Sequence, residues 1–393
     1  MGMWIGRGRK ARVCYGFDDI SLVPGNCTIN PQDVDLSTSI AGHTLKIPIL
    51  AAAMDGVVDP TFAIAFGKLG GLAVLNLMGV YTRYEDPYKI IDSIISCPAE
   101  KATSFIQDVY KQPVRKELIM ARVREIKEGG SLCAVSSIPN CAEEYGMIAA
   151  EAGADIFVVQ STVVSVQHIS SVYQPLDFRK FCASMPIPVM VGNCVTFQVA
   201  VDLMEVGIAG LLVGIGPGAA CTSREVLGLG VPQVTATADC AAARDFYYTR
   251  TGRYVPIITD GGMIGSGDIC KAFAAGADGV MVGSAFGRAK ESPGKGFHWG
   301  MATSDENLPR GTRISLGTSG TLKEILFGPS RTDDGSQNLI GALKLSMGSL
   351  GVKTVRDMHL VEIAIAPSIK TEGKIYQAAK KSALSESKSG RRQ

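Results

Sequence analysis

The ten cysteines include no Cys-x-x-Cys pair, which sets aside both a structural zinc site and a disulfide framework. Reduced thiols fit a cytoplasmic protein. Charge of a single sign is scarce as well: 39 basic residues face 37 acidic ones, for a net charge of +2. That balance argues against nucleic acid or a membrane surface as the main partner. Basic residues crowd both ends, in Gly6-Arg7-Gly8-Arg9-Lys10 and Lys388-Ser389-Gly390-Arg391-Arg392, and read as solvated arms. Apolar runs of membrane-spanning length are missing too. The stretch from Ile208 to Cys221 is too short and is broken by glycines and Pro217. Trp4 is followed by arginines, with no apolar h-region and no small-residue cleavage site.

What is present is glycine and apolar residues. The 393 residues are 46% hydrophobic and 19% charged, enough for one large α/β core or two ordinary ones. The 45 glycines cluster at strand-to-helix junctions. Short apolar runs recur at 48–53, 72–76, 132–136, 155–160, 188–192, 210–215, 256–260 and 279–283, each followed by a helical pattern. They lack strict alternation, as expected of parallel strands covered on both faces. Helical patterns such as Ala142–Ala152 and Gln198–Val206 stop at Gly153 and Gly207, the left-handed exit of a helix. Eight such units predict an α/β fold of the (β/α)8 TIM-barrel type; a doubly wound open sheet is the alternative.

Three segments depart from the alternation. Residues 77–131 exceed one crossover helix but fall short of an inserted regulatory domain. Their patterns around Ile90–Ile95 and Arg115–Glu128 read as helices within the barrel. Residues 287–320 are irregular and rich in Gly, Ser and Pro, as mobile lids often are. Residues 377–393 read as a disordered basic tail, leaving 1–376 as a single catalytic domain with a flap at about 302–320.

In such a barrel the chemistry sits on loops after the strands' C-terminal ends. After the sixth run, glycines at 214, 216 and 218 lead to Cys221-Thr222-Ser223-Arg224. Alternate glycines permit a tight turn that exposes backbone groups. A thiol at the end of that loop, near a helix start, suits a nucleophile better than a packing role. Ser223 is in reach to hydrogen-bond the reacting centre or a leaving group. After the seventh run comes Asp260-Gly261-Gly262, and after the eighth Gly283-Ser284. Glycines at these two strand ends make a phosphate pocket in many barrels. Asp260 is placed to accept ribose hydroxyls, with a helix N-cap as the plainer reading; Asp268 reads as a cap or salt-bridge partner.

The ordered set of segments resembles the IMP dehydrogenase/GMP reductase family. It runs from Phe17-Asp18-Asp19-Ile20-Ser21-Leu22-Val23-Pro24 and Ala53-Met54-Asp55-Gly56-Val57 through Gly192-Asn193, the Cys221 loop and Gly230-Val231-Pro232-Gln233. Asp260-Gly261-Gly262, Met281-Val282-Gly283-Ser284, Glu291-Ser292-Pro293-Gly294 and Gly300-Met301 complete it. The resemblance implies that Cys221 forms a covalent adduct at purine C2. Asp260 would hold the ribose, and Ala219 (through its backbone), Gly262, Gly283 and Ser284 the phosphate. Met54, Gly300 and Met301 would meet the base. Gln160, Ser161, Asn193, Gly214 and Gly216 would face the nicotinamide of NAD; no Rossmann-type glycine fingerprint is recognised, and the family binds its dinucleotide without one. Carbonyls at Gly216, Gly218 and Cys221, with Glu372 and Gly373 of a neighbouring subunit, resemble the family's potassium site. That site implies a homotetramer, or tetramers paired as an octamer.

Departures from the pattern are specific. Ala219 stands where the family usually has a phosphate-binding serine, and Gln160 where it has an aspartate. His298 takes the place of the aromatic phosphate ligand. The paired CBS regulatory domain is absent, which brings the chain closest to a CBS-lacking subfamily related to IMP dehydrogenase. Between the family's two reactions the flap gives mixed signals. It has no Arg-Tyr pair; Arg253-Tyr254 lies before the seventh strand and belongs elsewhere. Leu316 occupies the position before Gly317 that relatives fill with Glu or Gln. Gly216-Pro217-Gly218 and Thr222 to Arg224 look reductase-like, yet the reductase glutamate is missing, whereas Arg310 and Arg313 are present, either to activate water or as solvated charges or phosphate contacts. The expected activity is NAD-dependent oxidation of IMP to XMP, toward GMP synthesis. The alternatives are NADPH-dependent reduction of GMP to IMP and ammonia, a purine-nucleotide sensor without chemistry, and, more remotely, a flavin barrel.

Overall fold

A computed structural model describes residues 2–300 and 313–367. Eight parallel strands close into a barrel: β1 (Ile49–Ala51), β2 (Leu72–Asn76), β3 (Ala134–Ser137), β4 (Ile156–Gln160), β5 (Val189–Cys194), β6 (Gly210–Val213), β7 (Ile257–Asp260) and β8 (Gly279–Val282). The ring closes where Val282 of β8 pairs with Ala51 of β1. All eight expected strands form, and the open-sheet alternative is excluded by that closure.

Strand residues alternate between two buried layers, which is why the sequence shows no polar period. Leu50, Leu72, Val74, Ile156, Val158, Met190, Leu212, Ile258 and Met281 fill the barrel interior. Their neighbours Ala73, Leu75, Phe157, Val159, Val191, Leu211 and Ile257 point out to the helical jacket. Ile40 and Leu45, from the hairpin of Thr38–Ile40 and His43–Leu45, join the interior cluster.

The helices begin and end where local chemistry dictates. After β1, α1 (Pro60–Lys68) is capped by Asp59, whose carboxylate accepts from the Phe62 N–H at 2.6 Å, with proline at its first position. The long stretch between β2 and β3 is three helices, α2 (Pro87–Ser96), α3 (Ala99–Val109) and α4 (Lys116–Glu128). Two were expected; α3 was not, because its apolar face is confined to Ala102, Ile106 and Val109. Helices α5 (Ala142–Glu151), α6 (Phe178–Ser184) and α7 (Phe197–Glu205) follow β3, β4 and β5. Gly153 and Gly207 exit α5 and α7 at φ of +102° and +103°.

The second half adds α8 (Ser223–Leu227) and α9 (Gln233–Thr251) after β6, and α10 (Ser266–Ala274) after β7. A single turn, α11 (Ser284–Gly287), follows β8. The segment read as irregular contains a hairpin: β9 (Phe297–Trp299) pairs antiparallel with β10 (Arg313–Ser315). Beyond it, α12 (Leu322–Phe327) and α13 (Leu339–Leu350) pack together, with α13 also against α10. The expected tail at 377–393 lies outside the described residues. No described helix is long and apolar enough to cross a membrane.

Candidate active site

Asp260, the last residue of β7, is the focus of three strand ends. Its Oδ2 accepts from Asn193 Nδ2 of β5 at 2.8 Å and from Gln160 Nε2 of β4 at 3.1 Å. Gln160 Nε2 also lies 3.2 Å from Asn193 Oδ1. Desolvation at the barrel mouth pushes the carboxyl up to about 6, against the lowering effect of the two amides. Only Oδ2 carries these amide bonds. Ser161 is held through its backbone, donating to Gly192 O at 2.9 Å and accepting from Asn193 N at 3.0 Å.

Beside this cluster runs the cysteine loop. Gly214 leaves β6 at φ +150°, and a Cβ there would lie 2.2 Å from Asp260 O, so only glycine fits. Gln233, at the start of α9, donates from Nε2 to Val213 O at 2.6 Å and to Asp260 O at 3.2 Å. It ties β6 to β7 beneath the loop, a role its place in a quoted motif did not disclose. The Cys221 N–H closes a turn onto Gly218 O at 3.0 Å. The half-buried Cys221 thiol donates to the buried Ser223 hydroxyl at 3.3 Å. Helix α8 behind it is only five residues long, so a helix-dipole contribution to thiolate formation is smaller than the sequence suggested. The loop's outer side, from Gly216 to Thr222, borders an open cavity of about 430 Å³. Ala219 is exposed there, with no polar side chain to offer.

Across the mouth, contact distances join the remaining candidates. A Cβ on Gly262 would sit 2.9 Å from Pro217 Cβ, one on Gly283 2.9 Å from Met54 Sδ, and one on Gly300 2.9 Å from Ala220 O. Glycine at the ends of β7 and β8 therefore lets Pro217 of the Cys221 loop and Met54 approach closely, and Gly300 does the same for Ala220. Ser284 Oγ lies 3.2 Å from His298 Nε2.

Two expected site residues already have protein partners. His298, taken as a direct phosphate ligand, is 1% exposed and sits behind the partly exposed Ser284. Burial and nearby Arg288 push its imidazole down to about 4. Arg313, taken as a flap arginine for water activation, donates Nη1 to Ile94 O and, at 3.1 Å, to Ile95 O at the C-terminal end of α2. Its guanidinium also stacks 5.1 Å from the Phe297 ring centre. These contacts anchor β10, a structural duty set by unpaired carbonyls at a helix end. Met301, Arg310, Glu372 and Gly373 lie outside the described residues. Asp268 caps α10, accepting from Ile264 N at 2.8 Å. Arg253 and Tyr254 are engaged elsewhere, with Gly207 O and Asp278.

One buried network was not anticipated. Asp55 Oδ2 accepts from Tyr110 OH at 2.6 Å and Val80 N at 2.7 Å, and Trp299 Nε1 donates to Tyr110 OH at 2.9 Å. Burial pushes the Asp55 carboxyl up to about 6 against these donors. The network fixes the residue after Met54 and the strand that carries His298. Its members lie 55 and 189 positions apart, so no local pattern announces it.

The sequence matches the model of the IMP dehydrogenase / GMP reductase domain over residues 14–311. The chain belongs to the IMP dehydrogenase/GMP reductase family. It is 36% identical to an uncharacterized oxidoreductase of Mycolicibacterium smegmatis, over 92% of this chain and 99% of that one. It is 31% identical to an inosine-5'-monophosphate dehydrogenase of Borreliella burgdorferi, over 88% of this chain and 91% of that one. Among solved structures, an IMP dehydrogenase/GMP reductase-like protein from Corynebacterium glutamicum superposes with a TM-score of 0.87 at 34% identity, covering 93% and 97% of the two chains. Membership makes this chain an oxidoreductase of the family and leaves its particular reaction to the site.

Proposed function

We propose that the protein oxidises IMP to XMP with NAD. The observation that supports this reading is that the Cys221 thiol with Ser223, Asp260 under its two amides, and Gly262, Gly283 and Ser284 all follow the C-terminal ends of neighbouring barrel strands, β6, β7 and β8. In this scheme Asp260 Oδ1 accepts from the ribose hydroxyls, the glycine turns and Ser284 hold the 5′-phosphate, and Met54 packs on the base. Cys221 Sγ, having released its proton to solvent, then bonds to C2 as hydride leaves that carbon. NAD, when bound, supplies the hydride acceptor; Gln160, Ser161, Asn193, Gly214 and Gly216 are the residues that would face it. Water cleaves the resulting Cys221–C2 bond to give XMP and free thiol, with Arg310 the remaining candidate to assist. The carbonyl-rich loop at Gly216, Gly218 and Cys221 suits a large monovalent cation such as potassium. The described residues hold no cluster of three or more His, Cys, Asp or Glu for a transition metal. Glu372 and Gly373 from a neighbouring subunit would complete that site in a homotetramer.

A second reading rests on Ser223. A hydroxyl 3.3 Å from the Cys221 thiol is where GMP reduction would place a proton donor for departing ammonia. The deciding experiment offers the purified protein IMP with NAD and, separately, GMP with NADPH. NADH and XMP formation in the first supports the dehydrogenase. Turnover only in the second replaces it by the reductase. Stabilisation by a nucleotide with neither turnover would make the protein a sensor.

A further inference from the structure

The buried imidazole on β9, facing Ser284 after the eighth strand, has a task that the nucleotide reading leaves unassigned. His298 is 1% exposed, and β9–β10 pairing of His298 with Ile314 fixes its backbone. At Gly287 an added Cβ would lie 3.6 Å from His298 Cδ2 and 3.4 Å from Leu316 Cδ1, so the ring packs in a confined space. Nε2 faces Ser284 Oγ at 3.2 Å, while Nδ1 is buried with no hydrogen-bond partner among the described residues.

That asymmetry selects a tautomer. A neutral imidazole carries one proton. Placed on Nδ1, it would be a buried donor without an acceptor, and orphaned donors are the rarer and costlier case. Placed on Nε2, it donates to Ser284 Oγ and leaves Nδ1 as a mere unused lone pair. The Ser284 hydroxyl proton is then barred from His298 and must point elsewhere. Ser284 is partly exposed while His298 is not, so the direction left open is the barrel mouth.

We propose that His298 is a positioning residue for phosphate: its Nε2–H donates to Ser284 Oγ and so aims the Ser284 hydroxyl proton at the phosphate oxygens of a bound 5′-monophosphate. The inference deepens the nucleotide reading and rests on it for the identity of the ligand. It accounts for a histidine in this position: a neutral ring, with Arg288 the nearby charge, keeps one donor direction throughout the physiological range. It also assigns to Ser284 the hydroxyl contribution that Ala219 lacks.

The test is calorimetric titration of IMP, inosine and ribose 5-phosphate into wild type and into His298→Gln, His298→Asn, His298→Leu, Ser284→Ala and the Ser284→Ala/His298→Leu pair. Glutamine presents an amide N–H at the reach of Nε2, whereas asparagine presents one at the reach of Nδ1. His298→Leu and His298→Asn are expected to weaken IMP and ribose 5-phosphate about tenfold, the worth of one well-aimed hydrogen bond to a charged group. His298→Gln should retain near-wild-type affinity for both, inosine should be unaffected throughout, and the double variant should bind no more weakly than Ser284→Ala. Equal behaviour of the Gln and Asn variants, a parallel loss for inosine, or additive losses in the double variant would overturn the proposal. Should ribose 5-phosphate give the expected pattern while wild type binds no purine monophosphate, the nucleotide reading fails and the positioning role stands.

Discussion

The Cys221 thiol donates to the Ser223 hydroxyl across 3.3 Å, with the cysteine at the rim and the serine buried beneath it. The pair sets the first prediction. Cys221→Ala should lower turnover by at least about a thousandfold while IMP affinity, followed by titration, stays within a few-fold of wild type. Ser223→Ala separates the two candidate reactions. In the dehydrogenase the serine only orients the thiol, and the loss should be modest. In the reductase it donates the leaving-group proton, and GMP-dependent NADPH consumption should collapse.

Asp260 should make nucleotide binding pH-dependent. Its carboxyl sits at about 6 in the free protein, raised by desolvation, and the carboxylate is the form that accepts ribose hydroxyls. As pH falls through 6 the free protein protonates, and IMP affinity should drop toward tenfold per pH unit. Asp260→Asn should bind more weakly and keep only the pH dependence of the ligand's own 5′-phosphate, whose second ionisation lies at about 6. The stability effect runs the other way. A carboxyl with a folded-state value above its ordinary 3.8 binds protons in the native state first, so its contribution to stability grows as pH falls from about 6 toward 3.8. Titrations of IMP at several pH values check the first sign, and urea melts of wild type against Asp260→Asn check the second.

Tyr110 joins Asp55 to Trp299, so Tyr110→Phe should remove two buried hydrogen bonds at once. The change leaves the Trp299 indole N–H and one bond of the Asp55 carboxylate unanswered, a cost of about 1–3 kcal/mol. Denaturant melts measure it. The chain has two tryptophans, Trp4 and Trp299. In a Trp4→Phe background the emission is that of Trp299 alone, and Tyr110→Phe should shift it. Unchanged emission and stability would mean that the network holds nothing in place.

The barrel was legible because its evidence is local and repeated. Each strand is a short apolar run followed by a helical pattern, and eight repeats of that unit admit few architectures. Cys221, Asp260 and Gly283 could be singled out for the same reason: each ends a strand or its loop. Asp55, Tyr110 and Gln233 escaped because their partners are distant in sequence and no spacing rule points to them. His298 and Arg313 were assigned roles by position alone. Their partners in the structure, Ser284 for the buried His298 and the open carbonyls of α2 for Arg313, are set by burial and by a helix end that no local pattern announces.

Arg313 and Arg310 make the last prediction, since they stand three positions apart in sequence and the scheme gives them different duties. Arg313 donates to the Ile94 and Ile95 carbonyls and packs on Phe297, so Arg313→Ala should loosen β10 from α2. Its effect should appear as lower thermal stability and a parallel fall in every kinetic step. Arg310 carries no such structural duty in the proposed scheme, where it assists the water that cleaves the Cys221–C2 bond. Arg310→Ala should therefore preserve the pre-steady-state burst of NADH, which reports hydride loss from C2, and slow only the turnover that follows. Stopped-flow absorbance separates these outcomes. A preserved burst with slow turnover in Arg313→Ala would restore Arg313 to the chemistry. A lost burst in Arg310→Ala would take water activation away from Arg310, because hydrolysis comes after the step that produces the burst.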